Sequence, residues 1–164
     1  MPKTLAIRQL LDCSERDFWE RIFGSEDFNH YLYEGLGFDY ELHEWNPKTG
    51  YRKAKVWPGH QMPRPLQRIF GERFSYVEEG TFDAVAERYD FRVIPSALPD
   101  RIRAEGVVVV QPVSEQQCER RVTVEIGADV IGLSRLIESF LITSTREQYA
   151  KNAALVNEYL AERR

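Results

Sequence analysis

The chain has 164 residues, 43% hydrophobic and 29% charged, with a net charge of -4, which fits one globular domain with a sizeable core. The acidic balance argues against nucleic-acid binding and against general polyanion binding. Cys13 and Cys118 are far apart, with no CxxC and no Cys/His spacing, so reduced thiols are expected rather than a disulfide framework or a zinc site.

The first turns of the chain read as a strand and two short helices. Lys3 to Asp12 carries Leu5, Ile7 and Leu11 at alternate positions, a strand pattern complicated by the adjacent Leu10. Ser14 is an N-cap candidate, with Glu15 and Asp17 in the first turn. Phe18, Ile22 and Phe23 form the apolar face, and Gly24 ends that helix. Ser25 opens a second helix through Leu36, with Phe28, Tyr31, Leu32 and Leu36 inward. No apolar run near the start has signal-peptide length, so export is not expected and the cytoplasm is the expected location.

From Phe38 the period changes to two. Phe38, Tyr40 and Leu42 alternate with Asp39, Glu41 and His43. Asn46 to Gly50 is a turn, and Tyr51 to Trp57 the returning strand. The prolines of Pro58 to Pro65 forbid a regular ladder, so this is a loop. Leu66 to Phe70 fits either a strand or a turn of helix. Arg73–Phe82, Ala84–Ile94, Ile102–Gln111 and Cys118–Ile126 read as further strands, joined by loops at 95–100 and 114–117.

The last segment, Asp129 to Arg163, has no proline and no glycine after Gly132. Leu133, Leu136, Ile137, Phe140, Leu141, Tyr149, Ala153, Val156 and Leu160 recur at helical spacing. Arg135, Glu138, Arg146, Lys151, Glu158 and Glu162 take the other face. The expectation is an amphipathic helix of about 35 residues, roughly 50 Å long. It is too charged to span a membrane.

Strand, two short helices, an antiparallel run and a terminal helix introduced by Gly127-Ala128-Asp129-Val130-Ile131-Gly132 resemble the helix-grip fold of the START-like superfamily, which includes birch-pollen-allergen-like proteins and polyketide cyclases. Phe28-Asn29-His30-Tyr31-Leu32-Tyr33 with Gly37-Phe38 is similar to an uncharacterised bacterial branch of it. The resemblance covers the whole chain as one START-like domain. It implies an α+β fold: a curved antiparallel sheet of about six to seven strands wrapped around the C-terminal helix, with two short helices after the first strand. It also implies an apolar cavity where sheet and helix separate. The small residues Thr143, Ser144 and Thr145, between bulky Phe140 and Leu141 on one side and Tyr149 on the other, place that cavity under the middle of the helix. Close packing on Phe74 or Phe91 is the alternative.

Strand alternation then singles out polar groups on apolar faces. Glu87 shares parity with Val85, Tyr89 and Phe91, Glu78 with Phe74 and Tyr76, and Arg120 with Cys118, Val122, Val124 and Ile126. Buried charges need partners, so an Arg120–Glu87 or Arg120–Glu78 pair is expected to orient a ligand's polar head. The alternative is that each lies at a strand end facing water. The candidate ligand-binding set is Tyr76, Glu78, Glu87, Tyr89, Phe91, Arg120, Phe140, Leu141, Ser144 and Tyr149. The resemblance implies a lid near the cavity mouth, and Trp57 and Met62, beside Arg64 and Arg68, are candidates for it with transient membrane contact. An ordinary rigid connection is the other reading.

His30, His43 and His60 have no metal-ligand spacing, and no nucleophile or phosphate-loop motif occurs. No metal or cofactor is expected, and no catalytic residue is assigned. The leading expectation is binding, with transfer, of a hydrophobic small molecule of lipid, sterol or polyketide type. A cyclase- or hydrolase-type enzyme using cavity Glu and Tyr residues, and a ligand-free protein-interaction module, are the alternatives. Ligand identity and oligomeric state are not readable from these residues.

Overall fold

In the computed structural model, residues 2–59 and 62–163 are described. His60 and Gln61 of the proline loop lie outside them. Seven strands form one antiparallel sheet: β1 (Lys3–Leu11), β2 (Asp39–Asn46), β3 (Tyr51–Trp57), β4 (Tyr76–Asp83), β5 (Arg88–Pro95), β6 (Ile102–Pro112) and β7 (Cys118–Ala128). Their order is β1-β7-β6-β5-β4-β3-β2. Consecutive strands are neighbours from β2 to β7, and β1 closes onto β7 in a continuous register from Lys3↔Ile126 to Leu11↔Cys118. Four helical elements complete the chain: α1 (Glu15–Asp17), which continues as a π-helical turn Phe18–Phe23, then α2 (Glu26–Leu36), α3 (Arg64–Phe70) and α4 (Ser134–Glu162). This is the helix-grip α+β architecture that the resemblance to the START-like superfamily implied.

Local chemistry accounts for the joints. Ser14 Oγ accepts from the Asp17 N–H at 3.1 Å and Ser25 Oγ from the Phe28 N–H at 3.1 Å, so both predicted N-caps form. Asn46 Oδ1 accepts from Lys48 and Thr49 in the β2–β3 turn. Gly50 closes it at φ 78°, where a Cβ would lie 2.0 Å from the Phe82 carbonyl oxygen. In β1, Leu5 and Leu11 are buried while Leu10 is 51% exposed, which resolves the adjacent leucines in favour of strand alternation.

Several boundaries differ from the sequence reading. α4 starts at Ser134 and has 29 residues, because Gly132 takes φ 78° and breaks the helix that the periodicity had begun at Asp129. Residues 64–70 are helix, with Pro63 and Pro65 at its start, where proline's missing donor is harmless. β5 begins at Arg88, because residues 84–87 form the β4–β5 turn. Glu138, assigned to the solvent face of α4, is 8% exposed.

The core has two connected parts. One joins β1, the π-helical turn, α2, the inner faces of β5–β7 and the C-terminal half of α4, around Leu11, Phe18, Ile22, Leu32, Val122 and Val156. The other joins α3 to the start of α4 through Met62, Leu66, Phe70, Ile102 and Ile137. Cys13 and Cys118 are both free and buried.

Candidate functional site

Between these two core regions the middle of α4 stands off the sheet. An apolar chamber of about 90 Å³ lies there. The sheet supplies Tyr76 and Glu78 from β4, Phe91, Val93 and Pro95 from β5, Ile102 and Ala104 from β6, and Val124 and Ile126 from β7. The helix supplies Ile137, Phe140, Leu141, Ser144, Thr145, Gln148 and Tyr149, with Phe70, Phe74 and Pro58 at the proline-loop side. The periodicity explains the wall: alternate residues of each strand face inward, and residues three and four apart on α4 share a face. Gly106 on β6 lets Phe91 lie flat on the sheet, because a Cβ there would come within 2.4 Å of the ring.

A second chamber of about 110 Å³ adjoins the first toward α2, and Glu78, Gln148 and Tyr149 line both. Its walls are more polar. They include Tyr33, Arg52, Tyr89, Arg120 and Asn152 among Phe18, Phe23, Phe28 and Leu32. Gln148 Nε2 donates to the Tyr76 hydroxyl at 3.3 Å on the boundary.

Two buried guanidinium groups organise this inner chamber differently. Arg52, 7% exposed, reaches Glu78 at 3.5 Å and Glu26 at 4.0 Å, and donates to the Tyr40 hydroxyl. Tyr89 also donates to Glu78, at 3.1 Å. Burial works against the Arg52 charge, but Glu78 and the surrounding phenols outweigh it and hold Arg52 above its ordinary value. Arg120, 4% exposed, has no carboxylate partner among the described residues. Its Nε donates to Gln9 Oε1 at 3.0 Å and its Nη2 to the same oxygen. Gln9 Nε2 in turn donates to the Tyr149 carbonyl at 2.6 Å, tying β1 to α4. The rings of Tyr149 and Phe18 lie 5.5 and 5.9 Å from Arg120 Cζ. Burial pulls Arg120 down to about 10. Burial pushes the phenols of Tyr76, Tyr89 and Tyr149 up, and the Glu78 charge adds to it. These hydroxyls therefore stay protonated donors at neutral pH.

Of the predicted residues, Tyr76, Glu78, Phe91, Phe140, Leu141, Ser144 and Tyr149 line the apolar chamber. Tyr89 and Arg120 line the polar one. Glu87 does not join them: it is exposed in the β4–β5 turn at φ 52°, one residue before the ladder starts, so its parity is lost. It shares a hydrogen bond with Glu15 instead, and that bond, with burial and the like charge, pushes Glu15 up to about 7. Neither predicted Arg120–Glu pair forms. Met62 is 9% exposed and packs with Leu66, Phe70 and Ile137, so it is a core residue and not an exposed lid contact. Trp57 is half-buried between cations, its ring 4.9 Å from Lys55 Nζ and 5.5 Å from Arg73 Cζ.

The residues missed were Gln9, Arg52, Gln148 and Asn152. Two carried a readable signal: Gln9 has the parity of Leu5, Ile7 and Leu11, and Arg52 that of Ala54 and Val56. Among the described residues no group of three or more His, Cys, Asp or Glu side chains converges to hold a metal ion. No helix among them is long and apolar enough to cross a membrane.

Residues 14–160 match the family described as "Protein of unknown function (DUF2505)". The chain belongs to this family. A search of curated proteins found no matching sequence. Solved structures are similar over nearly the whole chain. The Zhui aromatase/cyclase from Streptomyces sp. R1128 is 12% identical with a TM-score of 0.68, covering 99% of this chain and 96% of that one. Norcoclaurine synthase from Thalictrum flavum, solved with dopamine and hydroxybenzaldehyde, is 13% identical with a TM-score of 0.70, covering 100% and 89%. A START superfamily protein from Mycobacterium smegmatis is 10% identical with a TM-score of 0.64, covering 96% and 98%. At these identities the likeness is one of fold, and the fold of this DUF2505 chain is START-like.

Proposed function

We propose that this protein binds a hydrophobic small molecule between its sheet and α4. The observation that carries the reading is the apolar chamber under Phe140, Leu141, Ser144 and Thr145, walled on the opposite side by Phe91, Val124 and Ile126. Concave apolar sites with a few convergent polar groups are the usual small-molecule sites. An apolar ligand gains about 25 cal/mol per Å² of surface removed from water. The chamber is narrow, so a ligand of two rings or more enters with side-chain movement at Phe140 and Leu141. Pro58 lines the chamber, which supports an entrance beside the proline loop. A lipid, sterol or polyketide-like compound fits this description, and transfer between membranes or partners is the extended form of the same reading.

Native mass spectrometry of gently purified protein tests it. The expected result is a retained lipophilic mass in the wild type that Ser144→Phe, which fills the chamber, no longer carries. A protein that holds no such mass and takes up no apolar compound refutes the reading.

One observation favours a second reading, catalysis. Among the described residues, Glu78 is the one carboxylate lining either chamber, it lines both, and Tyr76 and Tyr89 flank it. That is a group placed to move a proton on a ligand spanning the two. Turnover of an aromatic polyketide-like substrate that Glu78→Gln abolishes, with binding intact, would establish it.

A further inference from the structure

The inner chamber raises a problem of charge. Among the described residues, Arg52, Glu78 and Arg120 are the charged ones that line it. Arg52 and Glu78 compensate each other, and Arg120 is left over. A buried cation is stable when its donors and its charge are both answered. Gln9 answers two of the five guanidinium N–H donors through one neutral oxygen, and two aromatic faces answer part of the charge. No carboxylate lies within ion-pair reach of Arg120 among the described residues. Gln9 is itself locked to the α4 backbone, so the fork of Arg120 is held in one orientation.

A second, independent observation points into the same space. Asn152, three residues beyond Tyr149 on α4, lines the inner chamber, and its buried Oδ1 has no hydrogen-bond partner among the described residues. Buried polar atoms in folded proteins are normally satisfied, and an orphan asks for a missing partner. Turning the amide over about its last torsion presents its N–H donors to an anion instead.

Resting on the binding reading above, we infer that the ligand is an amphipathic monoanion, its acidic end seated on Arg120 and Asn152 and its apolar body passing Tyr149 into the outer chamber. A carboxylate matches best: it is planar, takes the guanidinium fork bidentately, and carries the one charge the chamber lacks. Gln9 acts as a positioning residue that aims the fork. The boundary shared by Glu78, Gln148 and Tyr149 is where head and body join. The drop in Arg120 basicity caused by burial agrees with an unanswered charge.

The test compares two probes of nearly equal shape, 4-butylbenzoate and 4-butylbenzyl alcohol, titrated calorimetrically into the full chain. The wild type is expected to bind the carboxylate at least about tenfold more tightly, the worth of one charge-assisted hydrogen bond. Arg120→Gln is expected to erase that preference, and Arg120→Lys to restore part of it. The wild-type comparison stands even if Arg120→Gln fails to fold. Equal binding of both probes by the wild type overturns the inference and leaves the apolar cavity in place. Binding of neither probe overturns both.

Discussion

The two chambers are built by the same sheet and the same helix, yet they are held open by different forces. In the outer one, Phe91, Val124, Ile126, Ile137 and Phe140 face one another with few polar atoms between them. Its apolar walls are set mainly by packing and respond chiefly to volume. In the inner one, buried side chains are tied in pairs: Arg52 to Glu78 and Tyr40, Tyr89 to Glu78, Arg120 to Gln9, Gln9 to the α4 backbone. Removing one member strands the other in a low-dielectric site. The outer chamber is therefore expected to tolerate redesign and to set ligand shape, while the inner chamber resists substitution and sets ligand polarity.

The sharpest way to break that contrast is Arg52→Met. It leaves the half-buried Glu78 beside Tyr89 with no cation, and about 2 kcal/mol of stability is expected to be lost in urea denaturation. The double change Arg52→Met with Glu78→Leu should recover most of it. No recovery would mean that the pair is not the unit holding this chamber. A smaller effect belongs to the boundary. Tyr76→Phe removes the hydroxyl that accepts from Gln148 and is expected to cost about 1 kcal/mol. A double-mutant cycle with Gln148→Leu should show coupling, because the two groups touch. In the outer chamber, Ser144→Phe is expected to change stability by no more than about 1 kcal/mol while abolishing apolar uptake. A large stability loss there would erase the distinction between the two regions.

The smallest effect lies outside both chambers, at Glu15 and Glu87. Glu15 is raised from 4.5 to about 7 by the hydrogen bond shared with Glu87, then by burial and like charge. The folded state therefore holds more protons than the unfolded state between these values. Its stability contribution is complete below pH 4.5, declines as pH rises through that window, and is gone above about 7. Glu87 is exposed and Glu15 only partly covered, so the slope amounts to less than about 1 kcal/mol. Glu87→Gln should flatten it in a pH series of thermal melts and leave probe binding unchanged, as expected of a carboxylate outside the cavity.

Glu87 and Arg52 show where strand parity can be trusted. Arg120 and Glu78 sit inside long uninterrupted ladders, and counting by twos placed both on the inner face. Glu87 lies where the ladder had stopped. Turn residues have no parity, and the turn at 84–87 contains no glycine or proline to announce it. Arg52 was legible by the same count, with Ala54 and Val56 beside it, but β3 carries few large apolar residues to mark its inner face. The pairing of charges was not legible at all. Glu78 meets Arg52 because β3 lies next to β4, and Arg120 meets Gln9 because β1 closes onto β7 across more than a hundred residues.

Periodicity and punctuation in the chain were enough for the strands, the two early helices, their order and the long terminal helix, while α3 stayed open between strand and helix. A period of two or of 3.6 is a local property, and the caps at Ser14 and Ser25 act within one turn. The thinning of the α4 stripe to Ser144 and Thr145 likewise marked the place of the apolar chamber. Only the tertiary structure decided that the cavity has a second, polar chamber, that Glu87 lies outside it and Met62 inside the core, and that one buried cation lacks a carboxylate. Those facts depend on which distant side chains share a dry volume, and desolvation is a property of that volume rather than of any segment that lines it.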